Sequence, residues 1–152
     1  MMRISLALLA ALALLPGSVA CTRGRAQTSS FASRAEAGTS VPAWVPATAT
    51  DLKVQAAEDG AFWLRFSLPE RDRAPLEPEL LRIPDEQVAT LTFRPPSGVD
   101  WWFRGLVQVV PARETTVLAA DVFSGAGRSV PQRTFVAFDR RSDTVFAWTA
   151  GR

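Results

Sequence analysis

The chain has 152 residues, a net charge of +2 and one cysteine, and it contains neither histidine nor tyrosine. The lack of histidine excludes histidine general bases and metal ligands, and a single cysteine excludes a disulfide framework and thiolate zinc sites. The small net charge does not favour nucleic-acid binding, which needs a clustered basic face. We therefore assign no catalytic residue, no metal and no cofactor, and we expect no nucleic-acid partner.

The N-terminal segment has the pattern of an export signal. Arg3 precedes an uncharged apolar stretch over 5–16. This stretch is shorter than the roughly 20 apolar residues that a membrane-spanning helix needs. The small residues of 18–20 follow, and small residues are typical of a cleavage site. We predict that residues 1–20 are a signal peptide.

The only cysteine, Cys21, stands directly after this cleavage site. The segment Ser18-Val19-Ala20-Cys21 resembles a bacterial lipobox, with serine where leucine is usual, and predicts that Cys21 is acylated. Several acyl chains give stable attachment to a bilayer, so the expected lipid partner is the membrane itself. Thr22, rather than aspartate, favours the outer membrane, facing the periplasm. Plain secretion of a soluble protein and a retained anchor are the alternatives.

Residues 22–41, TRGRAQTSSFASRAEAGTSV, are rich in small and polar residues and have no apolar periodicity. Such a composition is typical of a flexible linker. We predict that 21–41 is the lipidated cysteine with a tether, and that a single globular domain occupies 42–152. A domain of this size can form one hydrophobic core.

The first part of the domain predicts a β-hairpin over 51–57 and 61–68. In the second strand the apolar residues from Phe62 to Leu68 alternate with Trp63, Arg65 and Ser67, a period of two that indicates a half-buried strand. Before the hairpin, Trp44 lies between two prolines, and we expect it to pack over the edge of the domain.

The middle of the domain is less regular. Leu76, Leu80, Leu81 and Ile83 have a spacing compatible with a short helix that Pro78 could begin and Pro84 end. The alternation in 89–94 predicts another strand. A serine followed three residues later by an aspartate, at Ser97 and Asp100, predicts a short helix.

The last part of the domain predicts three strands over 115–123, 134–139 and 144–149, joined by short turns. Consecutive strands with short turns form an antiparallel meander. The predicted fold class is α+β, a single small domain in which an antiparallel sheet, built of the hairpin and the meander, is covered by one or two short helices.

A group of tryptophans and arginines is the candidate partner-binding surface. Adjacent residues cannot share one face of a strand or helix, so one ring of the Trp101-Trp102 pair is expected in the core and the other near the surface. Trp and Arg are enriched in interface hot spots, and stacked tryptophans can also bind a sugar ring. The alternative is that both rings only fill the core. The surface comprises Trp63, Arg65, Trp101, Trp102 and Arg104.

Carboxylates are the remaining candidates for acid–base chemistry, but no pair has a spacing that fixes its separation. Two of them fall in or beside a predicted hairpin turn, where aspartate is favoured for bonding to the backbone. The carboxylates considered are Asp100, Glu114, Asp121, Asp139 and Asp143.

Several short segments resemble small bacterial envelope lipoproteins that have no established activity. The resemblance implies a single exported domain and assigns no functional residue. It is carried by Pro42-x-Trp44-x-Pro46, the Ala49-x-Asp51-Leu52 motif, Phe62–Phe66, Trp101-Trp102 and the closing AFDRRSDTVFAW.

Three functions are compatible with these observations. The first is a lipid-anchored accessory protein that binds an envelope protein partner, with an oligomeric state that the sequence does not fix. The second is an envelope inhibitor or immunity protein against a toxin or a lysozyme. The third is a histidine-independent hydrolase. The lack of histidine and the anchor favour the first.

Overall fold

Nine β-strands, two four-residue α-helices and three 3-10 turns make up the regular structure of the described residues in this computed structural model. The described residues are 28–57, 60–88, 100–102, 107–110 and 115–149, with the backbone alone for 107–110 and 115–118. The strands are β1 (Thr28–Ser33), β2 (Thr50–Ala56), β3 (Phe62–Ser67), β4 (Leu80–Arg82), β5 (Val107–Val110), β6 (Thr115–Leu118), β7 (Ala120–Gly125), β8 (Thr134–Asp139) and β9 (Thr144–Thr149). The helices are α1 (Arg34–Ala37) and α2 (Asp85–Val88).

Seven of these strands form one antiparallel sheet in the order β1-β2-β3-β9-β8-β7-β4, and β5 pairs with β6 separately. The predicted hairpin is confirmed as β2 and β3, and the predicted meander as β7, β8 and β9. The fold is a small α+β domain, as predicted. The meander joins the hairpin through the pairing of β3 with β9. Strands that are far apart in the sequence therefore lie side by side in the middle of the sheet.

The predicted tether is wrong over 28–41. Thr28–Ser33 pairs with β2 as an edge strand, and Phe31 packs against the hydrophobic core. The chain then forms α1, capped by the Ser33 side chain, and a 3-10 turn over Gly38–Ser40. The prediction failed because a polar composition does not exclude an edge strand. Such a strand needs only one apolar side chain when a neighbouring strand supplies its hydrogen-bond partners. Residues 1–27 lie outside the described residues.

The short helix predicted between Pro78 and Pro84 is also wrong. Pro78 lies in a 3-10 turn over Glu77–Glu79, and the next three residues form β4, which pairs with β7. The apolar spacing still places Leu76 and Leu80 in the core. Pro84 does not end a helix; α2 begins directly after it.

Three further predictions concern the strands over 115–123 and 89–94 and the helix near Ser97. The strand predicted over 115–123 is interrupted at Ala119, so that β6 pairs with β5 and β7 pairs with β8. The strand predicted over 89–94 lies outside the described residues. Of the helix predicted near Ser97, only 100–102 are described, and they form a bend.

The sheet is covered on both faces, and each face has its own apolar cluster. On the first face Leu64, Phe66 and Leu68 are fully buried, as the alternation in β3 predicts. The segment before β2 covers this face, with Trp44 against Phe62 at 6.5 Å between ring centroids. The expected packing of Trp44 is therefore confirmed.

The second face is apolar at its centre and charged toward β2. Its cluster contains Trp102, Phe146 and Trp148, with Trp63 packed at the margin. Trp102 makes edge contacts with Phe146 and Trp148 at 5.3 and 5.9 Å between ring centroids. Within the described residues no helix is longer than four residues, and none could cross a membrane.

Candidate functional site

A cleft of about 410 Å³ opens on the second face of the sheet, beside Trp101. Strand β9 forms its floor, β2 and β3 form one wall, and the turn between β8 and β9 forms the opposite wall. Because side chains alternate along a strand, every second residue of these strands faces the cleft. It is lined by Lys53, Arg65, Asp100, Trp101, Asp139, Ser142, Thr144 and Phe146.

Two cations form the wall of the cleft on β2 and β3. Lys53 lies directly opposite Arg65 in the register of these strands. Arg65 also makes an ion pair with Asp51, at 3.3 Å from Nη2 to Oδ2. No carboxylate of the described residues lies within ion-pairing distance of Lys53. This wall therefore has two positive charges and one compensating carboxylate.

A β-bulge places Asp51 next to Arg65. The register of β2 and β3 shifts between Thr50 and Lys53, where three steps along β2 match two along β3. Asp51 adopts a φ of 48°, a left-handed conformation that aspartate tolerates better than most residues. Bulges are frequent next to binding sites because they redirect side chains. Here the bulge gives Arg65 its carboxylate and leaves Lys53 without one.

Carboxylates and hydroxyls form the opposite wall. Asp139 is buried and accepts hydrogen bonds from the backbone N–H of Arg141 at 2.9 Å and from the Ser142 hydroxyl at 3.0 Å. These bonds fix the turn after β8, which confirms the predicted turn role of Asp139. Asp100 is exposed at the rim of the cleft. Of the two, Asp100 is the carboxylate available to a ligand.

The adjacent tryptophans have different roles, as predicted. Trp102 is 5% exposed and lies in the apolar cluster, whereas Trp101 is half-buried and lines the cleft. The two rings meet edge to face at 5.6 Å between centroids. The Nε1 donor of Trp101 is buried and has no hydrogen-bond acceptor among the described residues. Trp101 therefore gives the cleft apolar ring surface, whereas its buried Nε1 is not a donor available to a ligand.

The predicted binding surface is corrected in part. Arg65 and Trp101 come together in the cleft, but Trp102 belongs to the core, because its ring is enclosed by Phe146 and Trp148. Trp63 is half-buried against the same cluster. Arg104 lies outside the described residues. Sequence reasoning missed Lys53, although it is the only lysine in the chain and lies one strand away from Arg65.

A second charged cluster lies next to the cleft, at the beginning of β7 and in the turn after β8. Asp121 accepts hydrogen bonds from Arg82 at 2.9 Å and from Arg140 at 3.0 Å, and Arg140 also contacts Asp85 at 3.4 Å. The hydrogen bonds that Arg140 donates to Asp121 raise the pKa of Arg140 above its ordinary value. Through its contacts with Arg82 and Arg140, Asp121 forms ion pairs that connect β4, β7 and the turn after β8. Glu114 lies outside the described residues.

The described residues contain no group of three or more acidic or cysteine side chains that could hold a metal ion. No protein-family model, no curated protein and no solved structure matches the chain.

Proposed function

We propose that the protein is a lipid-anchored binding module of a bacterial cell envelope, which contacts a partner through the cleft beside Trp101. The export signal and the position of Cys21 support the anchor. The partner-binding part of the proposal is supported by the side chains that line the cleft.

The observation that carries the proposal is the meeting of Trp101 with the cations of β2 and β3 in one open cleft. Tryptophan and arginine are the residues that most often dominate binding energy at interfaces. Arg65 is held in place by Asp51, so less side-chain entropy is lost when a partner binds. The exposed carboxylate of Asp100 adds selectivity, because it repels partners whose negative charges lie next to it.

Site-specific photocrosslinking in the native host tests this surface. A photoreactive residue at position 100, at the rim of the cleft, is expected to give a defined covalent adduct with an envelope component. The same residue at position 81 is the control, because Leu81 is exposed on the opposite edge strand, β4. Adduct formation at position 100 is expected to fall when Trp101→Ala is added.

An adduct that is equally strong from position 81, or that is indifferent to Trp101→Ala, would exclude the cleft as the contact surface. The anchor is tested separately by intact-mass analysis of the protein from its host. We expect an acylated N-terminal cysteine at position 21, and a free, unmodified amino terminus would overturn this part of the proposal.

A further inference from the structure

The cations of the cleft are arranged as a site for an anion. Lys53 and Arg65 face each other across adjacent strands, and like charges in directly opposed positions destabilise a sheet. Asp51 compensates Arg65 alone. An anion bound between the Lys53 ammonium and the Arg65 guanidinium would remove the remaining repulsion between these two cations. The register thus brings two cations together and leaves the positive charge of Lys53 without a carboxylate partner among the described residues.

We infer that the cleft binds a small zwitterionic, peptide-like ligand whose carboxylate pairs with Lys53 and whose amine lies toward Asp100. This inference rests on the proposed function, since it names the ligand class of the same cleft. The apolar body of such a ligand would lie against Trp101 and Phe146, which line the cleft between the two walls.

The opposite wall argues against a strongly anionic ligand. A phosphate monoester carries close to two negative charges at neutral pH, and the exposed Asp100 would repel it, whereas Asp139 is already paired with Arg141 at 3.4 Å. A ligand with one carboxylate and one amine meets a complementary charge at each wall instead. Charges placed in this way select the orientation of the ligand as well as its class.

Nuclear magnetic resonance on the full chain carrying Cys21→Ser, so that it is exported without lipid, tests the inference. The five tryptophans give five indole N–H signals, and Trp101→Phe identifies the one of interest. Titration with the dipeptide Ala-Leu to about 20 mM, which detects millimolar affinity, is expected to move the Trp101 signal saturably. Its C-terminal amide, its N-acetyl derivative and inorganic phosphate are the comparison probes, and all three are expected to bind more weakly.

Variants connect the effect to Lys53. We expect Lys53→Met to weaken dipeptide binding about fivefold, as for loss of one partly exposed ion pair, and Lys53→Arg to preserve it. Arg82→Met, which removes an ion-paired arginine from the opposite edge strand, is the matched control and should leave binding unchanged. The remaining amide signals of each variant report whether it is folded.

Several results would overturn the inference: no saturable shift of the Trp101 signal, equal binding of the amide or the N-acetyl derivative, tighter binding of phosphate, or indifference to Lys53→Met. Failure here together with a Trp101-dependent crosslink from position 100 would leave the cleft as a contact surface and reject only the ligand class. Failure of both would reject the cleft as a binding site.

Discussion

Lys53 and Arg65 occupy directly opposed positions on β2 and β3, on the face of the sheet that carries the cleft. Sheets are ordinarily stabilised by opposed side chains of opposite charge. A pair of opposed cations is therefore a local conflict with the fold, and conflicts of this kind are concentrated at functional sites. Asp51 resolves half of the conflict by pairing with Arg65.

The first prediction is that removing the charge of Lys53 stabilises the protein in the absence of a ligand. Lys53→Met keeps a similar apolar stem, and we expect the free energy of unfolding to rise by about 0.5 kcal/mol, within the range of cross-strand pair effects. Urea unfolding at low salt measures this, and the gain should shrink at high salt because salt screens the repulsion. Lys53→Arg, the charge-preserving control, should change little. If Lys53→Met were less stable than wild type, the opposed cations would not destabilise the sheet.

A second prediction separates the conformation of Asp51 from its charge. Asp51→Asn keeps a residue that tolerates the left-handed conformation, so only the partly exposed ion pair is lost, at a cost of at most about 1 kcal/mol. Asp51→Ala loses the pair and also strains the backbone, which adds about 1–2 kcal/mol. Denaturant unfolding of the two variants measures the difference. Equal stability of the two would mean that the bulge does not depend on the residue at this position.

The strands that alternate strongly could be predicted from the sequence, and those that depend on a distant partner could not. The β3 pattern from Phe62 onward is visible locally because each second side chain is apolar. In contrast, β1 has a single large apolar residue, Phe31, and becomes a strand through its hydrogen bonds to β2. Leu80–Arg82 likewise becomes a strand through β7, against a spacing that suits a helix equally well.

The same distinction explains how much of the site was predicted. Arg65 and Trp101 were recognised by residue type, and the alternation of β3 gave the face on which Arg65 lies. The contributions of Lys53 and Asp51 depend on the register between two strands and on a bulge within it. A bulge is a shift of one residue relative to a partner strand, and that shift changes which side chains face the cleft.

The third prediction is that the two adjacent tryptophans differ in their effect on stability. Trp102→Ala would leave a cavity among Phe146 and Trp148, and we expect a loss of about 3–5 kcal/mol in the free energy of unfolding. Trp101→Ala removes a half-buried ring at the rim, with an expected loss of about 1 kcal/mol. Thermal and denaturant unfolding measure both. A larger loss for Trp101 than for Trp102 would reverse the roles assigned to the two rings.

The fourth prediction concerns the end of β7. A Cβ atom at Gly125 would overlap the carbonyl oxygen of Pro131 and lie 2.6 Å from that of Val130. Both contacts are with backbone, which cannot move aside without distorting the sheet, so Gly125→Ala should cost about 3 kcal/mol or more. Gly60 is the matched control. It has a φ of 82° with open space around it, and Gly60→Ala should cost only the backbone strain of about 1 kcal/mol. Similar losses for the two variants in urea unfolding would contradict the close approach at Gly125.

The fifth prediction is a dependence of stability on acidic pH that arises at Glu79. Its carboxylate accepts a hydrogen bond from the backbone N–H of Ser129 at 2.9 Å, and this bond lowers the pKa of Glu79 below its ordinary value of 4.5. The folded state therefore favours the ionised form, so the contribution is present above pH 4.5 and is lost as the pH falls through the lower, folded pKa.

Glu79→Gln retains an oxygen acceptor but not the charge. We expect the variant to be less stable than wild type at neutral pH and the two to converge below the folded pKa, where wild-type Glu79 is protonated. Glu77→Gln, which removes the same charge from the same 3-10 turn, is the control. Unfolding curves recorded between neutral and strongly acidic pH give the difference directly. A difference between wild type and Glu79→Gln that stays constant over that range, or grows as the pH falls, would show that ionised Glu79 does not stabilise the turn between β7 and β8.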